Sequence, residues 1–519
     1  MKKSKMICLV LTLALLCSLS ACGGEGEPSP SPTAAPTESA APSPAPTEAP
    51  GTAEFVLSCY PSAGFHPITG QNRTNLTLAP LMYEGLFELD ETFAPHNVLC
   101  ESHAVSEDGL TWTFTLKAAA FSDGSALTAA DVVHSLQRAQ GEDSVYAGRL
   151  SGVRSIREAE AGVEVVLSAP NGNLPALLDI PIVKENGEAP LGTGPYVLTG
   201  EGEELSLTAV DGWWQNKTLP LTSIRLCSVQ GADGLIHAFD TREVSLVTAD
   251  ITGSNALGYS GSYEVWDYPT SIMLYVGYNT QSGPCRDSEV RRALSYGYER
   301  TAVAKSLFAQ HAAAACLPVS PASPLYSQAL ADTLAYSPQR VEELLEGAGW
   351  LLSDGVRTKG REALTLTFVV NTDNSYKVSA AEYLTELLSR EGIAVELKKL
   401  PWEDYVAALE GGEFDLYLGE VKLTADFDLT ALLAPGGTLN YGAFADGETQ
   451  DLLAAYLAAD AAGRSEAAQA LYRQIARTAP FTPICFKSWS VLTHWGKIAG
   501  LNPTQQNVFY GFSNWKPGR

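Results

Sequence analysis

The chain contains no G-x-S-x-G nucleophile elbow, no G-x-x-x-x-G-K-[ST] phosphate loop and no H-E-x-x-H pair, which removes the common signatures of hydrolases, nucleotide-dependent enzymes and zinc proteases. Its seven histidines, His66, His96, His103, His134, His237, His311 and His494, are scattered, and none pairs with another at metal-ligand spacing. No C-x-x-C occurs among nine cysteines, so neither a zinc ribbon nor a thioredoxin-like redox motif is present. Positive charge is scarce: 34 Lys and Arg face 59 Asp and Glu, a formal balance of -25, which argues against nucleic acid or anionic lipid as a partner. Long apolar runs are also missing. The longest near the start, residues 6–19, has 14 residues, below the roughly 20 needed to span a bilayer.

That short run has a different meaning. Lys2, Lys3 and Lys5 precede it, and Leu19-Ser20-Ala21-Cys22 closes it with small residues and a cysteine, so residues 1–21 read as a leader to be removed. Small residues before Cys22 resemble the lipobox of bacterial lipoproteins, which implies lipidation of Cys22 and cleavage just before it; a plain secretory signal with an incidental cysteine is the alternative. Residues 22–52 are almost entirely Gly, Pro, Ser, Thr, Ala and Glu after the cysteine, with nothing to offset the entropy of ordering. They read as a disordered tether of roughly 30 Å mean reach, or up to about 90 Å as polyproline II. Cys8 and Cys17 leave with the leader and Cys22 is the anchor. Cys59, Cys100, Cys227, Cys285, Cys316 and Cys485 remain, allow 15 complete pairings, and are assigned no disulfides.

The remaining chain exceeds the about 250 to 300 residues that one core usually organises, so two or more lobes are expected. Trp112, Phe114 and Leu116 alternate with threonines as a half-buried strand, Ser122-Asp123-Gly124 is a turn, and Thr128 with Asp131 has the form of a capping box that starts a helix. In the second half, Leu364 to Val370 alternate as a strand, residues 379–388 are helical, and Gly392 suits a C-cap. Strands at 393–397 and 414–418 follow, separated by a helix at 402–409, an alternation that predicts a βαβαβ unit with a parallel sheet. Ligands of such sheets bind beyond the carboxyl ends of the strands, which directs attention to residues 419–429.

The segment Glu107-Asp108-Gly109-Leu110-Thr111-Trp112-Thr113-Phe114, running into Phe121-Ser122-Asp123-Gly124-Ser125-Ala126-Leu127-Thr128-Ala129-Ala130-Asp131-Val132-Val133, resembles the hallmark segment of the oligopeptide, dipeptide and nickel solute-binding family (family 5) of ABC importers. Further blocks follow in that family's order: Tyr83-Glu84-Gly85-Leu86-Phe87 before it, Gly192-Thr193-Gly194-Pro195-Tyr196 after it, then Val290-Arg291-Arg292-Ala293-Leu294, Ala348-Gly349-Trp350 and Phe414-Asp415-Leu416. The resemblance spans nearly the whole body. It implies an α/β, two-lobe periplasmic-binding-protein-like fold (type II, class C) with an extra subdomain in the first lobe. The boundaries expected are 53–85, 185–268 and 484–519 for domain I, 86–184 for domain II and 269–483 for domain III, the second lobe.

The resemblance also nominates ligand contacts. Leu423-Thr424-Ala425-Asp426-Phe427 is similar to the stretch in which peptide-binding members place an aspartate against the ligand's ammonium, with Asp426 at the acidic position and Leu423 where the family has tryptophan. Asp428 is a second candidate, or a turn carboxylate. Trp402 matches a cavity-lining tryptophan, or is a core residue. Lys422, Leu423 and Thr424 offer backbone for strand-like pairing with an extended ligand. Gln71, Asn72 and Arg73 form a facing loop in which Arg73 meets a ligand carboxylate or is simply exposed. The function implied is a substrate-binding lipoprotein, not an enzyme, at the extracellular face of the cytoplasmic membrane. It would capture an oligopeptide and hand it to an ABC permease and ATPase. No cofactor, metal or nucleic acid is expected, and a monomer is. The alternatives are a peptide-sensing receptor, a binder of a metal chelate, and an envelope hydrolase.

Overall fold

The computed structural model describes residues 54–185 and 190–518; the leader, Cys22 and the tether to residue 52 lie outside the described residues. No helix among the described residues is long and apolar enough to cross a membrane. Three sheets organise the body. The first has the order Val56–Cys59, Ser223–Ser228, Ser206–Ala209, Tyr196–Thr199, parallel in its first pair and antiparallel thereafter. An antiparallel sheet of Cys100–Val105, Thr111–Leu116, Gly162–Leu167 and Val153–Ala159 carries the alternating threonine strand, in which Trp112 and Phe114 are buried. Helix Ala129–Ala139 follows it with the expected capping box between Thr128 and Asp131.

The seven-stranded sheet is the spine of the molecule. Its order is Leu246–Ala249, Phe481–Thr493, Glu264–Tyr278, Leu416–Lys422, Thr365–Asn371, Ala394–Leu400, with Ala312–Ala314 added on Phe481–Thr493. The predicted βαβαβ unit is present: Thr365–Asn371 pairs in parallel with both Ala394–Leu400 and Leu416–Lys422, and helices Ser375–Arg390 and Trp402–Glu410 make the crossovers. Leu384, Leu387 and Leu388 face its core, and Gly392 follows the helix at φ 79°, a left-handed turn that glycine takes without Cβ strain.

Hydrophobic burial divides among several cores. One gathers Leu57, Leu86, Phe114, Leu207 and Tyr268 with Val491, and another gathers Leu274, Leu366, Leu384 and Cys485. The two longest strands, Glu264–Tyr278 and Phe481–Thr493, therefore run from one core into the other, and their ladder shifts register between Pro269 and Met273. The six described cysteines are free thiols, four of them buried.

Candidate functional site

A cavity of about 1140 Å³ opens beside this crossing, large enough for a peptide of a few residues. Helix Arg73–Met82 delivers its first contact. Asn72 caps the helix by accepting the Asn75 N–H at 3.0 Å, which sets Arg73 on the first turn with its guanidinium 4.1 Å from the ring centre of Trp489. From the facing strand, Lys422 brings its ammonium to 5.2 Å from the same ring. Arg149 lines the same space and is paired with Asp179, whereas Arg73 and Lys422 have no carboxylate at ion-pair distance among the described residues. Lys422 is solvent-exposed, yet the protein crowded around its ammonium pushes it down to about 8, and the neighbouring Arg149 and Arg73 push it the same way against Asp179. Two cations on one indole repel each other, so an anionic group placed between them would be attracted by both.

Elsewhere in the cavity wall the chemistry is acidic. Glu84 accepts from Thr193 Oγ1 and Trp214 Nε1, both at 2.8 Å, and from Gln215 Nε2. Burial nevertheless pushes its carboxyl up to about 7, with the nearby Glu88 adding to the rise against those three donors. Glu88 is itself raised by burial, against hydrogen bonding from Asn507 and the charges of Lys217 and His96. The glycines of Gly192-Thr193-Gly194 explain how this wall is built. A Cβ on Gly192 would lie 2.0 Å from the Met82 carbonyl oxygen, and Gly194 donates its N–H to that oxygen at 2.9 Å. The segment thus seats directly on the end of the first helix, presenting Thr193 to Glu84.

A polar seam borders the cavity near Tyr268, which feels both Arg73 and Asp250. Lys487, fully buried, reaches Asp250 at 3.1 Å and Glu420 at 3.8 Å, and Asn374 donates to the Thr252 carbonyl at 2.9 Å. Asp250 Oδ1, Thr252 Oγ1 and Asn371 Oδ1 are buried here without a partner.

The model of the bacterial extracellular solute-binding proteins, family 5, matches residues 94–434. The chain belongs to this family. The glutathione-binding protein GsiB of Escherichia coli strain K12 is 27% identical over 458 residues, covering 80% of this chain and 86% of that protein. Among solved structures, the unliganded open form of the periplasmic murein tripeptide binding protein MppA superposes with a TM-score of 0.74 at 18% identity, covering 90% of this chain and 98% of that one. The nickel ABC transporter protein from Bacillus halodurans gives 0.72 at 21%, covering 88% and 97%. The α/β two-lobe architecture expected from the sequence is that of these neighbours, and this family 5 protein is a solute-binding component of an ABC importer. Members of the family are periplasmic or extracellular transport binding proteins.

Of the residues nominated from sequence, Arg73 and Lys422 line the cavity and the others do not. Asp426 is 2% exposed; its Oδ2 accepts from Asn171 Nδ2 at 2.8 Å and its Oδ1 from the Thr424 hydroxyl. Asp428 accepts the Thr430 N–H at 2.8 Å in the turn that leads into the next short helix. Leu423 is buried in a core, with its N–H donated to the Ser271 carbonyl and its own carbonyl accepting from Ser271 Oγ, so its backbone is used internally. Strand Thr365–Asn371 leaves Leu416–Lys422 after Tyr417, however, and Lys422 is paired there on one side alone, with Ile272. Trp402 is 54% exposed on the first turn of its helix, its ring tilted at 31° to that of Tyr405 with the centroids 5.8 Å apart. Gln71 donates to Thr69 and Asp143 carbonyls, and Asn72 is consumed by its cap. Sequence reasoning did not find Trp489, Arg149 or Asp179. Lys487-Ser488-Trp489-Ser490 does carry a strand alternation, but Arg149 and Asp179 lie in no motif.

Proposed function

We propose that this family 5 protein captures an oligopeptide through a carboxylate of the ligand, held between Arg73 and Lys422 over Trp489, and closes its two lobes around it before delivery to the permease. The unneutralised pair of cations carries this reading, because an acidic chain that sets two cations with no carboxylate partner among the described residues beside one cavity is arranged for an anionic group. The division into a first lobe of 53–268 with 484–519 and a second of 269–483 belongs to this proposal and is supported by the change of core along the two long strands, which on the second strand falls just past 484, after Cys485. A carboxylate-rich metal chelate would satisfy the same two cations. The protein acts as a binder without catalysis.

Native mass spectrometry of the purified protein identifies what it retains. A peptide is expected, and Arg73→Ala or Lys422→Ala should weaken its binding by about 1–3 kcal/mol each, with a peptide amidated at its carboxyl end insensitive to both changes. Equal losses for the free and the amidated peptide would remove the carboxylate reading, and a retained chelate would replace the peptide. The anchor is proposed on the sequence of residues 19–22: Cys22→Ala should move the protein from the membrane fraction to the medium, and unchanged fractionation would exclude lipidation there.

A further inference from the structure

The loop that follows strand Gly162–Leu167 crosses to Asp426 and to the end of helix Gly447–Ala458, and it does so at two points. Asn171 donates Nδ2–H to Asp426 Oδ2 at 2.8 Å, and its own Oδ1 accepts the Asn173 N–H at 2.9 Å, which fixes the amide with its donor end toward the aspartate. One residue on, Gly172 donates its N–H to the Leu457 carbonyl at 2.7 Å, at the end of helix Gly447–Ala458. The approach is so close that a Cβ on Gly172 would lie 2.0 Å from the Ala459 carbonyl oxygen. Asp426 is held firmly from the other side, since its carbonyl accepts from Tyr456 OH and Arg464 Nη2, both at 2.7 Å.

The geometry points to Asn171–Gly172 as a clasp that fastens the first lobe to the second at Asp426, with the Asn171 amide occupying the carboxylate that would otherwise be free for a ligand's ammonium. This rests on the two-lobe closure proposed above and deepens it. The clasp ties the two lobes together from within the protein, so ligand contacts are not alone in holding them, and a free ammonium is not what Asp426 selects. A donor that is part of the chain, held by the Asn173 N–H and half-buried against Asp426, has no translational freedom to lose.

The test uses the ligand-free chain. Asn171→Asp sets a second carboxylate against Asp426 and should raise hydrogen exchange at the Gly172 amide by about tenfold or more, with a larger radius of gyration in solution scattering. Asn171→Ala should move both in the same direction by less. The exchanged pair Asn171→Asp with Asp426→Asn restores one donor and one acceptor, and should return both readings to within about twofold of wild type, a rescue that general loss of stability does not produce. Unchanged exchange and scattering in Asn171→Asp would overturn the clasp. It would also fall if Asp426→Asn abolished binding of trialanine, spared N-acetyl-trialanine and left the ligand-free shape as it was, because the carboxylate would then be an ammonium receptor. Failure of every peptide to bind would bear on the proposed function alone, since exchange and scattering of the ligand-free chain need no ligand.

Discussion

Glu84 sits among three hydrogen-bond donors, an arrangement that favours a carboxylate, yet burial outweighs them and its carboxyl is held near 7. The consequence for stability has a definite sign. Between its ordinary value of 4.5 and about 7 the folded chain keeps a proton that the unfolded chain has lost, so Glu84's contribution is complete below 4.5 and is lost as the pH rises through 7. The change amounts to about 3 kcal/mol across that window. Other partly buried carboxyls, Glu88 and Asp428 among them, are displaced the same way and add to the slope. Comparing chemical denaturation of the wild type and Glu84→Gln at pH 5 and pH 8 isolates the one residue. The variant should lose less stability between the two values, and parallel losses would mean that Glu84 is ionised throughout. Gln215 can rotate its amide to face the new side chain, so the substitution keeps its hydrogen bonds.

At the level of elements, much was legible because it depends on local rules. The threonine-alternating strand, the capping box at Thr128 and the strand-helix alternation from Leu364 to Leu418 each follow from periodicity or cap chemistry within a few residues, and each is present. The glycine blocks were legible as blocks but not as a mechanism. Gly192 and Gly194 pack on Met82, and Thr193 bonds Glu84, so two motifs more than one hundred residues apart form one wall. Asp426 illustrates the remaining gap. Its position after a strand marks it for a cleft, and nothing in the sequence says that Asn171, 255 residues earlier, arrives to cover it. Lys422 and Arg73 read as two ordinary cations until the fold brings both to the ring of Trp489. What sequence reasoning missed is tertiary: which distant side chains meet, and which charges are left without a partner when they do.

At the scale of the molecule, the proposed closure has to pass through the two long strands, since both leave the first core near Tyr268 and Val491 and enter the second near Leu274 and Cys485. Their ladder is interrupted over residues 270–272, and side-chain hydrogen bonds hold the segment there instead. Thr270 Oγ1 donates to the Lys487 carbonyl at 2.6 Å, Ser271 Oγ to the Leu423 carbonyl at 2.6 Å, and the Ser271 N–H goes to Gln505 Oε1 at 2.5 Å. Side chains can follow a small rotation of the backbone where a rigid ladder cannot, so this interruption is where bending costs least. Ligand binding should therefore slow hydrogen exchange at 270–272 and at the facing 487–488, and leave the interior of strand Thr365–Asn371 unchanged. Gln505→Ala, which orphans the Ser271 N–H, should loosen the same residues in the ligand-free chain and weaken binding severalfold, chiefly by faster release. A ligand effect spread evenly over both cores, or one that spares 270–272, would place the bend elsewhere.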